Sequence, residues 1–121
     1  MTVAFLHERL ASAALLFFLV AGIWGLIAYL RRRGVGSEYW GILAIGEVLI
    51  LAQAAMGVLL WLEGERPGRG IHILYGIVAS ITLPAFYAYS KGQDDRRAAF
   101  TYGLICLFLV GIVLRAATTA R

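Results

Sequence analysis

Residues 10–30, LASAALLFFLVAGIWGLIAYL, carry no charge and run directly into Arg31-Arg32-Arg33. A helix rising about 1.5 Å per residue needs roughly 20 apolar residues to cross about 30 Å of hydrocarbon. This stretch meets that length, and the arginine triplet stops it at a water boundary. Three further apolar stretches follow, separated by short polar links. The pattern predicts an all-α membrane protein, with four transmembrane helices in an up-down-up-down bundle. The spans are expected at about 3–30, 38–62, 71–90 and 98–114, within one domain covering 1–121.

Composition agrees. The chain is 61% hydrophobic and 15% charged, with a mean hydropathy of +0.81. Soluble domains carry nearer a quarter charged residues. A net charge of +4 raises nucleic acid as a candidate partner. The basic residues, however, lie in the links between apolar spans, so the expected partner is the lipid bilayer and not a polynucleotide. Cys106 is alone, which rules out a disulfide or a thiolate metal site within one chain. The first apolar run is too long for a cleaved signal peptide and has no basic segment before it, so it reads as a retained span.

Local signals set the boundaries. Thr2 is placed to cap the first helix, Ser37 the second, and Asp94 or Asp95 the fourth. Tyr39, Trp40 and Trp61 sit at the two ends of the second span, as interfacial aromatics do. The loop Glu63 to Gly70 is rich in Gly and Pro and turns the chain. Pro84 is expected to kink the third span, because it removes a backbone donor. The links after spans one and three carry Arg31, Arg32, Arg33, Lys91, Arg96 and Arg97. The opposite side carries Arg9, Arg66, Arg69, Arg115 and Arg121. The compact triplet assigns its own side to the cytoplasm. Both termini and both histidines then face outward from a prokaryotic inner membrane.

His7 and His72 are the only histidines, and each opens an odd-numbered span. Those spans run in the same direction, so the two imidazoles lie at similar depth. In a four-helix bundle the first and third helices are diagonal, and side chains on them approach one central object from opposite sides. At helical period, Ala11, Ala14, Phe18, Gly22 and Gly25 follow His7 on its face; Gly76, Ala79 and Leu83 follow His72. Small residues such as Ala11 and Gly76 beside the imidazoles leave clearance for a flat macrocycle. Small residues also serve close helix packing, and that explains them about as well. Two histidines are too few for a closed zinc site. The expectation is one haem b per chain, with His7 and His72 on its iron. Such an iron has no open position and favours one-electron transfer. Arg66, Arg69, Arg9 or Arg115 would pair with the propionates, and Tyr75 would line the pocket.

Leu6-His7-Glu8-Arg9-Leu10-Ala11, the run Gln53 to Leu60, the Pro67 loop and His72 together resemble one four-helix half of the heme A synthases. The resemblance covers about Phe5 to Ile81. It implies a bundle with two haem-ligating histidines on alternate helices near the outer face. The family's glutamate, one turn before the first histidine, is Ala4 here. The resemblance therefore implies a b-type haem protein in place of oxygenase-like chemistry. It would act alone, as a homodimer or as a subunit of a larger membrane complex. A quinone, a periplasmic electron carrier or a neighbouring subunit would be the redox partner.

Glu47 lies roughly 13 Å into the second span, near mid-membrane, where an ionisable group is a functional candidate by default. It motivates a different reading, a small multidrug-type transporter working as a dimer. The essential glutamate of such transporters is in the first helix, where this chain has none. In a further reading, Glu47 and Gln53 only make interhelical hydrogen bonds, within a structural or assembly subunit of a respiratory or photosynthetic complex.

Overall fold

The computed structural model describes residues 2–119. It contains four helices and, among the described residues, no strand: α1 Val3–Leu30, α2 Ser37–Leu62, α3 Ile71–Tyr89 and α4 Arg96–Thr119. All four are long and apolar enough to cross a membrane. The chain is a multi-pass membrane protein, and the leucines, isoleucines and valines left exposed on its outer faces contact lipid.

Packing proceeds around a ring. α1 lies against α4 and α2, and α3 lies against α4 and α2. α1 and α3 are diagonal. The closest seam joins α1 to α4, because glycine faces glycine there. A Cβ on Gly25 would stand 2.8 Å from the Ala99 carbonyl oxygen and the Gly103 Cα. One on Gly103 would stand 3.0 Å from the Gly22 carbonyl oxygen. Without apolar solvent exclusion between helices in lipid, such backbone proximity is how dispersion contacts accumulate. Beside the seam, Tyr39 of α2 is buried and donates its hydroxyl to the Ala21 carbonyl oxygen at 2.8 Å. Phe18, Tyr102, Cys106 and Leu109 complete the centre of the core.

The two ends of the bundle are tied differently. At the end holding the arginine triplet, the Val35 N–H donates to the Asp94 carbonyl at 2.8 Å, and Arg96 Nε donates to the Tyr29 carbonyl at 2.6 Å. At the other end, the Arg69 N–H donates to the Thr119 carbonyl at 2.9 Å. The start of α1, the α2–α3 link and the end of α4 therefore share one end.

Caps and boundaries follow the local chemistry, with two differences from expectation, at Ser37 and at the end of α4. Thr2 Oγ1 accepts from the Phe5 N–H at 3.1 Å, and Asp95 Oδ1 accepts from the Ala98 N–H at 2.9 Å. Ser37 does not cap α2: Gly36 occupies that position without a side-chain bond, and Ser37 is already helical. α3 runs as one unbroken helix through Pro84. α4 continues past Arg115 to Thr119 instead of ending near 114, because Ala116 and Ala117 are strong helix formers. Two carbonyls of that last turn also find donors: Ala116 accepts from His72 Nδ1 of α3, and Thr119 accepts from the Arg69 N–H in the α2–α3 link. Helices α1, α2 and α3 each end in paired 6→1 and 5→2 bonds around a left-handed residue, namely Arg32, Gly64 and Lys91.

Candidate functional site: a histidine pair across the bundle

His7 lies in the second turn of α1, on the face that lower down buries Ala14, Phe18, Gly22 and Gly25. His72 lies in the first turn of α3, on the face that buries Ala79 and Leu83. Both rings therefore point into the bundle and are half-buried. Their centroids stand 6.3 Å apart, and their planes are inclined at 76°. An iron–imidazole bond of about 2 Å, with the ring nitrogen about 1.2 Å from its ring centre, sets two opposed imidazoles roughly 6.4 Å apart. The observed separation suits one metal atom between the rings.

The supports of the two rings are unequal. His72 Nδ1 lies 2.7 Å from the Ala116 carbonyl oxygen, in the last turn of α4. A carbonyl can only accept, so Nδ1 carries the proton and Nε2 is left with the lone pair. This is the outer-partner arrangement common for metal-binding histidines. His7 has no such anchor. Its Nδ1 is buried and makes no hydrogen bond. Gln53 of α2 lies against it, yet Gln53 Oε1 is also buried and unpartnered. Gly57, one turn further along α2, leaves the ring room: a Cβ there would be 3.7 Å from His7 Cε1.

The remaining residues singled out from sequence fall in varied places. Gly76 follows His72 by one turn, and a Cβ on it would meet nothing within 4 Å. Ala11 and Tyr75 are half-buried, each about one turn from its histidine. Arg66 is committed to the end of α2. Its guanidinium lies 3.7 Å over the Trp61 ring and donates to the Trp61 carbonyl. This follows from the unsatisfied carbonyls that every helix C-terminus exposes. Arg69 is exposed and joins the site through its backbone: its N–H holds Thr119, and its carbonyl accepts from the His72 N–H at 3.1 Å. Arg9 lies 5.5 Å from the Phe5 ring centroid and borders a cavity of about 400 Å³ with Leu6, Leu10, Ala13 and Met56. Glu47 is half-buried in α2, with Oε1 shielded and unpartnered.

Among the described residues, no group of three or more His, Cys, Asp or Glu side chains could hold a bare metal ion. Two opposed imidazoles suit a metal that brings its other four ligands in a macrocycle. The open space beside Gly76 and the diagonal placement of α1 and α3 accord with a flat group between those helices. Three contributors were not predicted from sequence: the Ala116 carbonyl, Gly57, and Gln53 as a neighbour of His7. A glutamine among apolar residues was the one visible signal.

No protein-family model and no solved structure matches the chain. It is similar to the undecaprenyl phosphate-alpha-4-amino-4-deoxy-L-arabinose arabinosyl transferase of Pectobacterium carotovorum subsp. carotovorum (strain PC1), at 37% identity over 79 residues. The match covers 64% of this chain and 14% of that protein. It corrects the likeness to the heme A synthases: the similarity found is to an arabinosyl transferase, and nothing points to that family. The likeness rested on short runs of Leu, Ala and Gly around single His and Gln residues. Any apolar helix that packs closely in a membrane supplies such runs.

Proposed function

We propose that the chain is a membrane-embedded b-type haem protein, a one-electron carrier or haem-binding subunit with His7 and His72 as the axial ligands. The reading stands on chemistry and geometry, independently of family. The observation that carries it is the 6.3 Å separation of two inward-facing imidazoles on diagonal helices. The proton on His72 Nδ1 supports it, since Nε2 is left as the donor. When bound, haem would supply an iron that cycles between two oxidation states. The chain's own residues hold it: His72 fixed by α4, His7 across the bundle, and Gly76 leaving space for the ring edge. Both termini and the pair would face outward, with the arginine triplet in the cytoplasm. In this reading the protein sits in a prokaryotic inner membrane. A quinone or a periplasmic carrier exchanges electrons at the outer face.

The test is a reduced-minus-oxidised visible spectrum of the detergent-purified protein. A Soret band with sharp α and β bands is expected, and His72→Ala abolishes it. A colourless protein that also fails to take up added haemin refutes the reading.

The partly buried, unpartnered carboxylate of Glu47 favours a second reading, a small proton-coupled transporter. Proteoliposomes that show proton-driven flux, lost in Glu47→Gln, would support it. The arabinosyl transferase's activity is not carried across, because this chain spans 14% of that protein's length.

A further inference from the structure

At the end of the bundle that holds the arginine triplet, the last turns of α1, the link after it and the start of α2 line a cavity of about 530 Å³. Cavities that take small molecules run from about 300 to 1,000 Å³, so the space is of ligand size. It lies at the opposite end from the histidine pair, and nothing in it depends on haem. Its wall has two parts. Arg33, Ser37 and Glu38 line the polar part, and Trp24, Ala28 and Tyr39 line the rest. Trp24 stands six residues before the end of α1, which is roughly 9 Å down the helix axis. The cavity therefore reaches from the polar link into the membrane-spanning part of α1.

The aromatic wall is held in place. Tyr39 is buried, and its hydroxyl donates to the Ala21 carbonyl at 2.8 Å. The Trp24 ring lies parallel to the Tyr39 ring, with 6.5 Å between centroids. Trp24 is nonetheless 42% exposed, so this wall is open toward lipid. The polar rim is electropositive. Arg66 and Arg96 are each engaged with a carbonyl and a ring, whereas Arg33 is exposed and lines the cavity. Gly36 opens α2 without a side-chain bond, and the first N–H groups of a helix have no intrahelical acceptor. Those of Ser37, Glu38 and Tyr39 belong to residues on the cavity wall. A guanidinium and free N–H donors on one rim select an anionic oxygen acceptor. Glu38 is the one carboxylate on that rim, and it repels a dianion more than a monoanion. A phosphate monoester carries a charge of about −1.5 to −2 near neutral pH; a phosphodiester carries a single charge.

We propose that this cavity binds an anionic phospholipid. The phosphodiester lies against Arg33 and the N–H groups that open α2, and the first acyl carbons run along Trp24 and Ala28. Basic recesses between transmembrane helices take lipid head groups by this chemistry.

The probe is phosphatidylglycerol brominated on its acyl chain, titrated into the full chain in a neutral detergent. Bromine quenches indole fluorescence on contact, so Trp24 reports occupancy. Phosphatidylcholine brominated at the same carbons is the comparison. Half-quenching is expected at a mole fraction about fivefold lower for phosphatidylglycerol, the scale of one arginine beside anionic lipid. Trp24→Phe should remove that difference, and Trp61→Phe, at the other end of the bundle, should preserve it. Arg33→Ala should bring the two lipids together, and Arg33→Lys should restore part of the preference. Arg31→Ala should change it by about twofold or less, as a screened surface charge does. Equal quenching of the wild-type chain by both lipids overturns the proposal. Equal losses in Arg31→Ala and Arg33→Ala overturn it as well, since the attraction would then be diffuse. Displacement of the lipid by inorganic phosphate, beyond that by chloride at equal ionic strength, assigns the cavity to the free ion and overturns the lipid. The wild-type comparison decides the matter even if a variant fails to fold.

Discussion

Gly103→Ala is the most direct test of how this bundle is held together. The new methyl on α4 would stand 3.0 Å from the Gly22 carbonyl oxygen, 3.0 Å from the Leu26 nitrogen and 3.2 Å from the Gly25 carbonyl carbon. All three are backbone atoms of α1, so no side chain can turn aside. Ordinary contact begins near 3.4 Å, so α1 and α4 must part by roughly half an ångström along the seam. Overpacking of this kind costs about 1–3 kcal/mol. Alanine also gains up to about 1 kcal/mol of helix propensity over glycine, in any helix. Gly111→Ala on the same helix isolates the steric part, because a Cβ at Gly111 meets nothing within 4 Å. Reversible unfolding of both variants in mixed detergent micelles, followed by helical circular dichroism, should rank Gly103→Ala below Gly111→Ala by about 1–3 kcal/mol. Agreement within about 0.5 kcal/mol, the usual scatter of surface substitutions, would refute the claim that the glycine seam sets the α1–α4 distance. Gly22→Ala should also fall below Gly111→Ala, because its Cβ would stand 3.1 Å from the Gly103 carbonyl oxygen besides meeting the Leu107 side chain at 2.6 Å.

Other expectations follow from single positions. Gly76→Leu should leave unfolding unchanged, since the space beside it is open, while lowering haem content per chain as judged by pyridine haemochrome. Lys91 holds a φ of 55° at the left-handed end of α3. Lys91→Gly should therefore stabilise by about 0.5–1 kcal/mol in the same unfolding assay. Arg66→Ala should cost at most about 1 kcal/mol through loss of the Trp61 stack. It should leave haem stoichiometry intact, because the guanidinium is engaged with α2; a large fall in haem content would show that it serves the cofactor.

Much of the architecture is legible in residue order, and the reason is the solvent. Lipid satisfies no backbone polar group, so each apolar stretch must be helical from one water boundary to the other. Uncharged runs such as Leu10–Leu30, closed by Arg31-Arg32-Arg33, leave little freedom in where a span lies. The helix ends were less legible. Arg115 looked like a terminus because it is charged, but a charge ends a membrane span without ending a helix, and α4 continues to Thr119. Ser37 looked like a cap, but Gly36 holds the extended conformation that the cap position requires.

The candidate site divides the same way. That His7 and His72 lie at one depth and on inward faces follows from helical period and from parallel first and third spans, both properties of sequence spacing. How far apart the rings stand does not follow, because it depends on how closely α1 and α3 are drawn to the two helices between them. Gly22, Gly25 and Gly103 set one of those distances through contacts some eighty residues apart in the chain. The inequality of the two imidazoles is likewise tertiary. It depends on a carbonyl of Ala116, 44 positions from His72, and on a glutamine from a third helix. A one-dimensional pattern specifies which residues share a face. Which backbone oxygen that face meets is decided only when the helices pack.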